Sequence, residues 1–153
     1  DEMLVSGDRV IVIGYSYGRR GTEVSLFQID EAGGLRHLST SHLRSDDYYS
    51  SRNYAARLVE GKLVLYTPLR LDFADPLASL PAMREWRPEG EGGFERIVTP
   101  RRIYRPARSL AGNEQLTLHT ITQCAVAGPR LECDATVVVG PGESVSPPDD
   151  VTV

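Results

Sequence analysis

The sequence predicts an all-β protein, and three observations predict it. Apolar and β-branched residues come in short bursts, glycine or acidic turns separate the bursts, and one hairpin occurs twice. In chain order the bursts begin with "EMLV" (2–5), the turn "SGD" and "RVIVIGYSY" (9–17). Next come "TEVSLFQID" (22–30), the turn "EAGG" and "LRHLSTSHL" (35–43). After a polar stretch follow "AARLV" (55–59), the turn "EG" and "KLVLYTPL" (62–69). Last, "LTLHTITQCAV" (116–126) and "RLECDATVVVG" (130–140) flank "AGP". The pattern is a meander of four strands and then four more.

The duplicated hairpin is "LVSGDRVIVI" (4–13) against "LVEGKLVLY" (58–66), with one residue deleted at the turn. A hairpin that recurs in this way marks an array of sheets that bury their faces against one another, as in a propeller. The expected architecture is a partial β-propeller of about two four-stranded antiparallel blades, with a short helix-containing insertion. The first blade spans about 3–42 and the second about 53–139, with the insertion at about 70–100 and a tail at 140–153. Within the insertion, "ADPLASLPAMREW" (74–86) is the helical candidate: Asp75 suits the N-cap and Pro76 the first helical position, while Pro81 limits the length. The following "RPEGEGGFER" reads as a loop, and the proline-rich tail completes no strand.

Length bounds the chain to one ordinary domain of 153 residues. No apolar run approaches the ~20 residues of a membrane-spanning helix. A net charge of -4 supplies no global attraction to nucleic acid or anionic membranes. The arginine-rich "RRIYRPAR" (101–108) reads as a solvated edge in preference to a phosphate site, and the lysine-poor basic set, with Lys62 its one lysine, carries no mechanism. The chain opens on "DEMLV" without a leader, and a first residue in the middle of a hairpin predicts a piece of a longer protein.

Cys124 and Cys133 flank the "AGP" turn. If the loop centres on Gly128 and Pro129, the two cysteines face each other directly, and counting outward places them on the closely spaced kind of antiparallel pair. The spacing predicts a disulfide, and with it an oxidising compartment. The rivals are two buried thiols and half of a metal site, the latter without further cysteine or histidine at ligand spacing.

Beyond these patterns, the stretch "HLRSDDYYSSRNYAARLVEGKLVLYTPL" (42–69) resembles the secreted bacterial and archaeal proteins that carry a β-propeller domain distantly similar to WD repeats. "GDRVIVIGYSY" (7–17), "IYRP" (103–106), "LHTITQC" (118–124) and "LECDATVVVG" (131–140) are similar to the same family, in the same order. The resemblance covers residues 3–140 and implies a propeller fold, an extracytoplasmic home and no established enzymatic activity. Propellers close with about four blades or more, so two blades imply either a fragment or assembly with other copies.

The chemistry-bearing candidates are few. "GYSYG" (14–18) spells G-x-S-x-G, but a nucleophile elbow needs a helix after its turn, and the residues after Gly18 alternate like a strand. A serine hydrolase using Ser16 is therefore the alternative from a different class. The densest polar cluster is "RSDDYYSSRNY" (44–54), where Arg44, Asp46, Asp47 and Arg52 are the candidate binding residues. Its structural reading is a crossover in which Ser, Asp and Asn cap backbone groups and an arginine pairs with Asp46 or Asp47. His37, His42 and His119 each fall within a strand as packed or half-exposed residues. No metal site and no cofactor is expected, and no phosphate loop, dinucleotide fingerprint or zinc-protease motif occurs.

The expected function is a non-catalytic binding or scaffold module of a secreted or extracytoplasmic protein. Its expected partners are further blades or copies, protein or carbohydrate, with no nucleic acid. A purely structural domain supporting a neighbour is the remaining alternative.

Overall fold

The computed structural model describes residues 2–46, 55–90, 92–107 and 115–142. The chain runs β1 (Glu2–Ser6), β2 (Arg9–Ser16), β3 (Gly21–Ile29), β4 (Leu35–Leu43), β5 (Ala55–Val59), β6 (Lys62–Arg70), β7 (Ala82–Glu85), β8 (Glu95–Arg96), β9 (Val98–Tyr104), β10 (Leu116–Ala125) and β11 (Glu132–Pro141). The eight strands read from the sequence are β1 to β6, β10 and β11, each within a residue or two of its expected bounds.

Two sheets result. The first has the order β1-β2-β3-β4-β7-β8 and is antiparallel throughout; the second has the order β5-β6-β10-β11-β9, in which β9 joins β11 in parallel. Alternation along each strand turns one face of each sheet inward. Ile11, Ile13, Val24, Leu26 and Leu43 of the first sheet form one buried cluster with Ala56, Leu63, Leu65 and Cys124 of the second. Fully burying each such Leu or Ile side chain is worth about 1.5–3 kcal/mol, so this shared layer dominates the stability. Further along the second sheet, Leu69, Leu118, Ala135 and Val137 form another cluster, against which Leu80 and Ile97 pack.

The expected helix at 74–86 is absent; the described residues contain strands, turns and bends only. Asp75 does act as a cap, since its Oδ1 accepts the backbone N–H of Ala78 at 3.1 Å, but the turn closes through Ser79 N to Pro76 O and Leu80 N to Leu77 O at 3.3 and 3.4 Å. Pro81 explains the stop: it lacks an N–H and biases Leu80 away from the α region. Immediately afterwards Ala82–Glu85 extends as β7 and pairs with β4. The segment from 71 to 115 is therefore strand-bearing, adding β7 and β8 to the first sheet and β9 to the second.

The duplicated hairpin keeps its orientation in the first strand, where Leu4 and Leu58 both pack on the shared core and Val5 and Val59 are both exposed, but not throughout the second. Both copies turn over two residues, between Ser6 and Arg9 and between Val59 and Lys62. Counted from these turns, Ile11 and Ile13 match Val64 and Tyr66, yet the buried residues of β6 are Leu63, Leu65, Thr67 and Leu69. One residue of slip exchanges the faces of a strand, so along the second strand, from Ile11 onward, the likeness in letters does not carry over to a likeness of place.

Cys124 and Cys133 are joined by a disulfide across the β10–β11 pair, with a Cα separation of 4.1 Å. That spacing is the one typical of close, non-hydrogen-bonded rungs. The oxidised pair removes both rival readings.

Candidate functional site

Of the four candidate binding residues, Arg44 and Asp46 are described; Asp47 and Arg52 lie outside the described residues. Arg44 continues β4 and directs its guanidinium to the carbonyls of Ala78 and of Leu80, the latter at 3.0 Å, while lying 4.9 Å from the centroid of the Phe94 ring. Burial pushes the Arg44 pKa down and the Asp75 carboxylate pulls it partly back, which leaves an arginine charged and spent on the 75–80 turn. Asp46 accepts the backbone N–H of Arg70 at 2.5 Å, its own N–H donates to Pro68 O at 3.3 Å, and the neighbouring Ser45 hydroxyl meets Thr22 Oγ1 at 2.9 Å. The expected arginine–aspartate pair within the cluster is not formed between Arg44 and Asp46. Each side chain serves backbone groups, as the crossover reading requires.

Ser16 ends β2 opposite Gly21 and leads through a four-residue turn into β3. The setting is strand, turn, strand, without the helix of a nucleophile elbow. An acid and an imidazole do share its face of the sheet. Gly14 lies opposite Glu23, which lies opposite His42, and His42 Nε2 meets Glu23 Oε2 at 3.0 Å. Ser16, however, stands two residues beyond that rung, and β3 separates β2 from β4 by two strand spacings of about 4.8 Å each. His42 is 0% exposed, so its ring does not reach a bound substrate. Sequence reading places His42 in a strand but gives no sign of its carboxylate partner, which comes from pairing register alone.

The other two histidines lie on outer faces. His37 is exposed and bonds Thr40 Oγ1 at 2.9 Å; His119 stacks on Tyr66 and receives the Tyr66 hydroxyl in a 2.8 Å contact at Nδ1. Around that pair, exposed apolar side chains stand on the outer face of the second sheet. Tyr66 stands beside Ile121, and His119 beside Val138 and then Tyr104, with Ile121, Val138 and Tyr104 45%, 48% and 55% exposed. At its end Arg102 pairs with Asp134.

A cleft of about 510 Å³ opens where β7 and β8 approach the β10–β11 hairpin. Met83, Ile97 and Leu131 give it apolar walls, and Cys133 of the disulfide reaches it. Glu85, Arg87 and Arg130 form its polar centre: one nitrogen of each guanidinium stands 3.4 Å from the same oxygen, Glu85 Oε2. Nothing in the sequence announces this site, because Glu85 and Arg130 are brought together only when β7 leaves the second sheet's chain path to pair with β4. The same excursion leaves Arg101 and Arg102 of β9, and Arg105 just beyond it, exposed beside the edge of the second sheet.

Among the described residues no three His, Cys, Asp or Glu side chains group as metal ligands, and no helix is long and apolar enough to cross a membrane. Compared with known proteins, the chain matches no family model, no curated protein and no solved structure.

Proposed function

We propose that the chain is a non-catalytic binding and scaffold module of an exported protein, made of propeller-type sheets, and that the outer face of its second sheet packs against a further sheet. The observation that carries this reading is the run of neighbouring side chains Ile121, Tyr66, His119, Val138 and Tyr104 on that face, of which Ile121, Val138 and Tyr104 are exposed. Exposed apolar side chains in contact with one another mark a surface that meets a partner, whereas scattered ones do not. The disulfide Cys124–Cys133 supports export, since such bonds persist in oxidising compartments. The candidate binding residues Arg44 and Asp46 are engaged with backbone groups, and His42 is engaged with Glu23.

Carbene footprinting tests the reading. In the protein isolated from its source, Ile121, Val138 and Tyr104 are expected to label several-fold less than in the 153-residue chain alone. Equal labelling in the two preparations sinks the packing reading. A fluorophosphonate probe separates the enzyme alternative, with labelling that disappears in Ser16→Ala as the outcome in its favour.

A further inference from the structure

We propose that the cleft between β7, β8 and the β10–β11 hairpin binds a small carboxylate-bearing ligand, clamped by Arg87 and Arg130, with Glu85 holding the clamp in its place until the ligand arrives.

The first support is volume. About 510 Å³ lies within the range of small-molecule pockets, and the walls combine apolar Met83, Ile97 and Leu131 with a compact polar centre. Such a division seats a small organic body and fixes one charged end of it. The second is charge. Four arginines (84, 87, 96 and 130) face three glutamates (85, 95 and 132) around the cleft, so the local balance is positive in a chain whose net charge is -4.

The third support is the geometry of the centre. Two guanidiniums converge on a single carboxylate oxygen, each at 3.4 Å, well beyond the ~2.8 Å of a well-made charge-assisted bond. Glu85 is 24% exposed, whereas Arg87 and Arg130 are 61% and 63% exposed. The arginines thus reach from solvent toward a carboxylate that neither grips well. A planar carboxylate arriving from solvent can take both guanidiniums in paired N–H···O contacts, which Glu85, tethered to β7, does not achieve. Gly92 and Gly93 also line the cleft, and a Cβ at either would meet nothing within 4 Å.

The guanidinium chemistry fits two sources, an acidic sugar or a simple organic acid, and the test distinguishes them. Glucuronate and succinate are titrated into the oxidised chain by amide NMR, with glucose as the uncharged control and inorganic phosphate as the anion without a carboxylate. Saturable shifts are expected along 83–97 and 130–133 with glucuronate, succinate or both, and none with glucose. Binding by glucuronate alone assigns an acidic sugar, binding by succinate alone a simple acid, and binding by both a site that reads the carboxylate only.

Arg87→Gln and Arg130→Gln are each expected to weaken binding about tenfold, and Glu85→Gln to strengthen it about tenfold, as expected for loss or release of one charge-assisted contact. The exposure of both arginines keeps these variants clear of the core, and the glutamate variant tests the proposal from the opposite direction. The proposal is overturned if neither carboxylate binds, if phosphate binds as tightly as the carboxylates, or if the three variants leave affinity unchanged.

Discussion

The guanidinium of Arg9 donates to the carbonyl of Ala127 at 2.8 Å, across 118 residues of chain. Arg9 opens β2 in the first sheet and Ala127 lies in the loop that closes the β10–β11 hairpin of the second, so this contact spans the two sheets. The Arg9 side chain is 15% exposed and is also held by Asp8 at 2.6 Å. Arg9→Ala is expected to cost about 1.5–3 kcal/mol, the worth of a hydrogen bond to a charged group, read as a lower urea midpoint. An unchanged midpoint shows that the sheets do not depend on this clamp.

Arg44 makes the second long-range prediction. Because it bonds two carbonyls of the 75–80 turn with its planar fork and lies over Phe94, Arg44→Lys is expected to recover less than half of what Arg44→Ala loses, about 2 kcal/mol in denaturation. Full recovery by lysine sets the fork geometry aside and leaves charge alone as the cause.

Two glycines near the G-x-S-x-G pattern separate packing from motif. At Gly21 a methyl group presses directly on the carbonyl oxygen of Leu43, whereas at Gly18, the last letter of the pattern, a Cβ meets nothing within 4 Å. Gly21→Ala is expected to destabilise by about 1–3 kcal/mol and Gly18→Ala to stay within about 0.5 kcal/mol. Thermal melts of the two variants check the contrast; the reverse order transfers the constraint to the pattern.

The disulfide closes a short loop, with a sequence separation of 9. Chain-entropy reasoning gives roughly 2–3 kcal/mol for its removal, so reduction is expected to lower the denaturation midpoint without abolishing the fold. Non-reducing mass spectrometry is expected to find the chain two hydrogens lighter than the dithiol. A recovered free thiol at Cys124 or Cys133 counts against the bond in solution.

Asp8 makes the acid prediction. The side-chain hydrogen bond from Gln28 holds its carboxyl below the ordinary carboxylate value, with burial opposing and the Arg9 charge assisting. A carboxyl lowered in the folded state stabilises the protein above the ordinary value, and that stabilisation fades as the pH falls through the folded value, below about pH 4. Asp8→Asn is expected to flatten the urea midpoint in that acidic window and leave the neutral-pH slope unchanged. An acidic slope identical to that of the parent removes Asp8 as its source.

The strands that alternate strongly were legible because their periodicity is local. Ile11 with Ile13, and Leu63 with Leu65, state their inward face within four residues. The Cys124–Cys133 pair was legible for a related reason: a hairpin register follows from the centre of its own loop. By contrast β7, β8 and β9 are written "AMRE", "ER" and "VTPRRIY", too short or too polar to alternate, and Pro100 argues against a strand unless it lies on an edge, as β9 does. These three strands exist because of partners far along the chain. The cleft inherits that distance, since Glu85 and Arg130 share no motif, and so does the bond of Asp46 to Arg70. Helix propensity around Asp75 was real but ended at one capped turn, where Pro81 and the unpaired edge of β4 favoured extension.

The route of residues 71–115, out of the second sheet to the first and back, also has a kinetic meaning. β6 and β10 are hydrogen-bonded neighbours, yet the chain completes β7 against β4 and β8 against β7 before β10 begins. The β6–β10 seam must close a long loop, and that loop is shortened only when β7 has docked on β4. The first sheet is therefore expected to form early, and the second to lock late, on a chain already anchored at both ends. Because the chain passes from the second sheet to the first at β7 and back at β9, the two sheets are expected to unfold together.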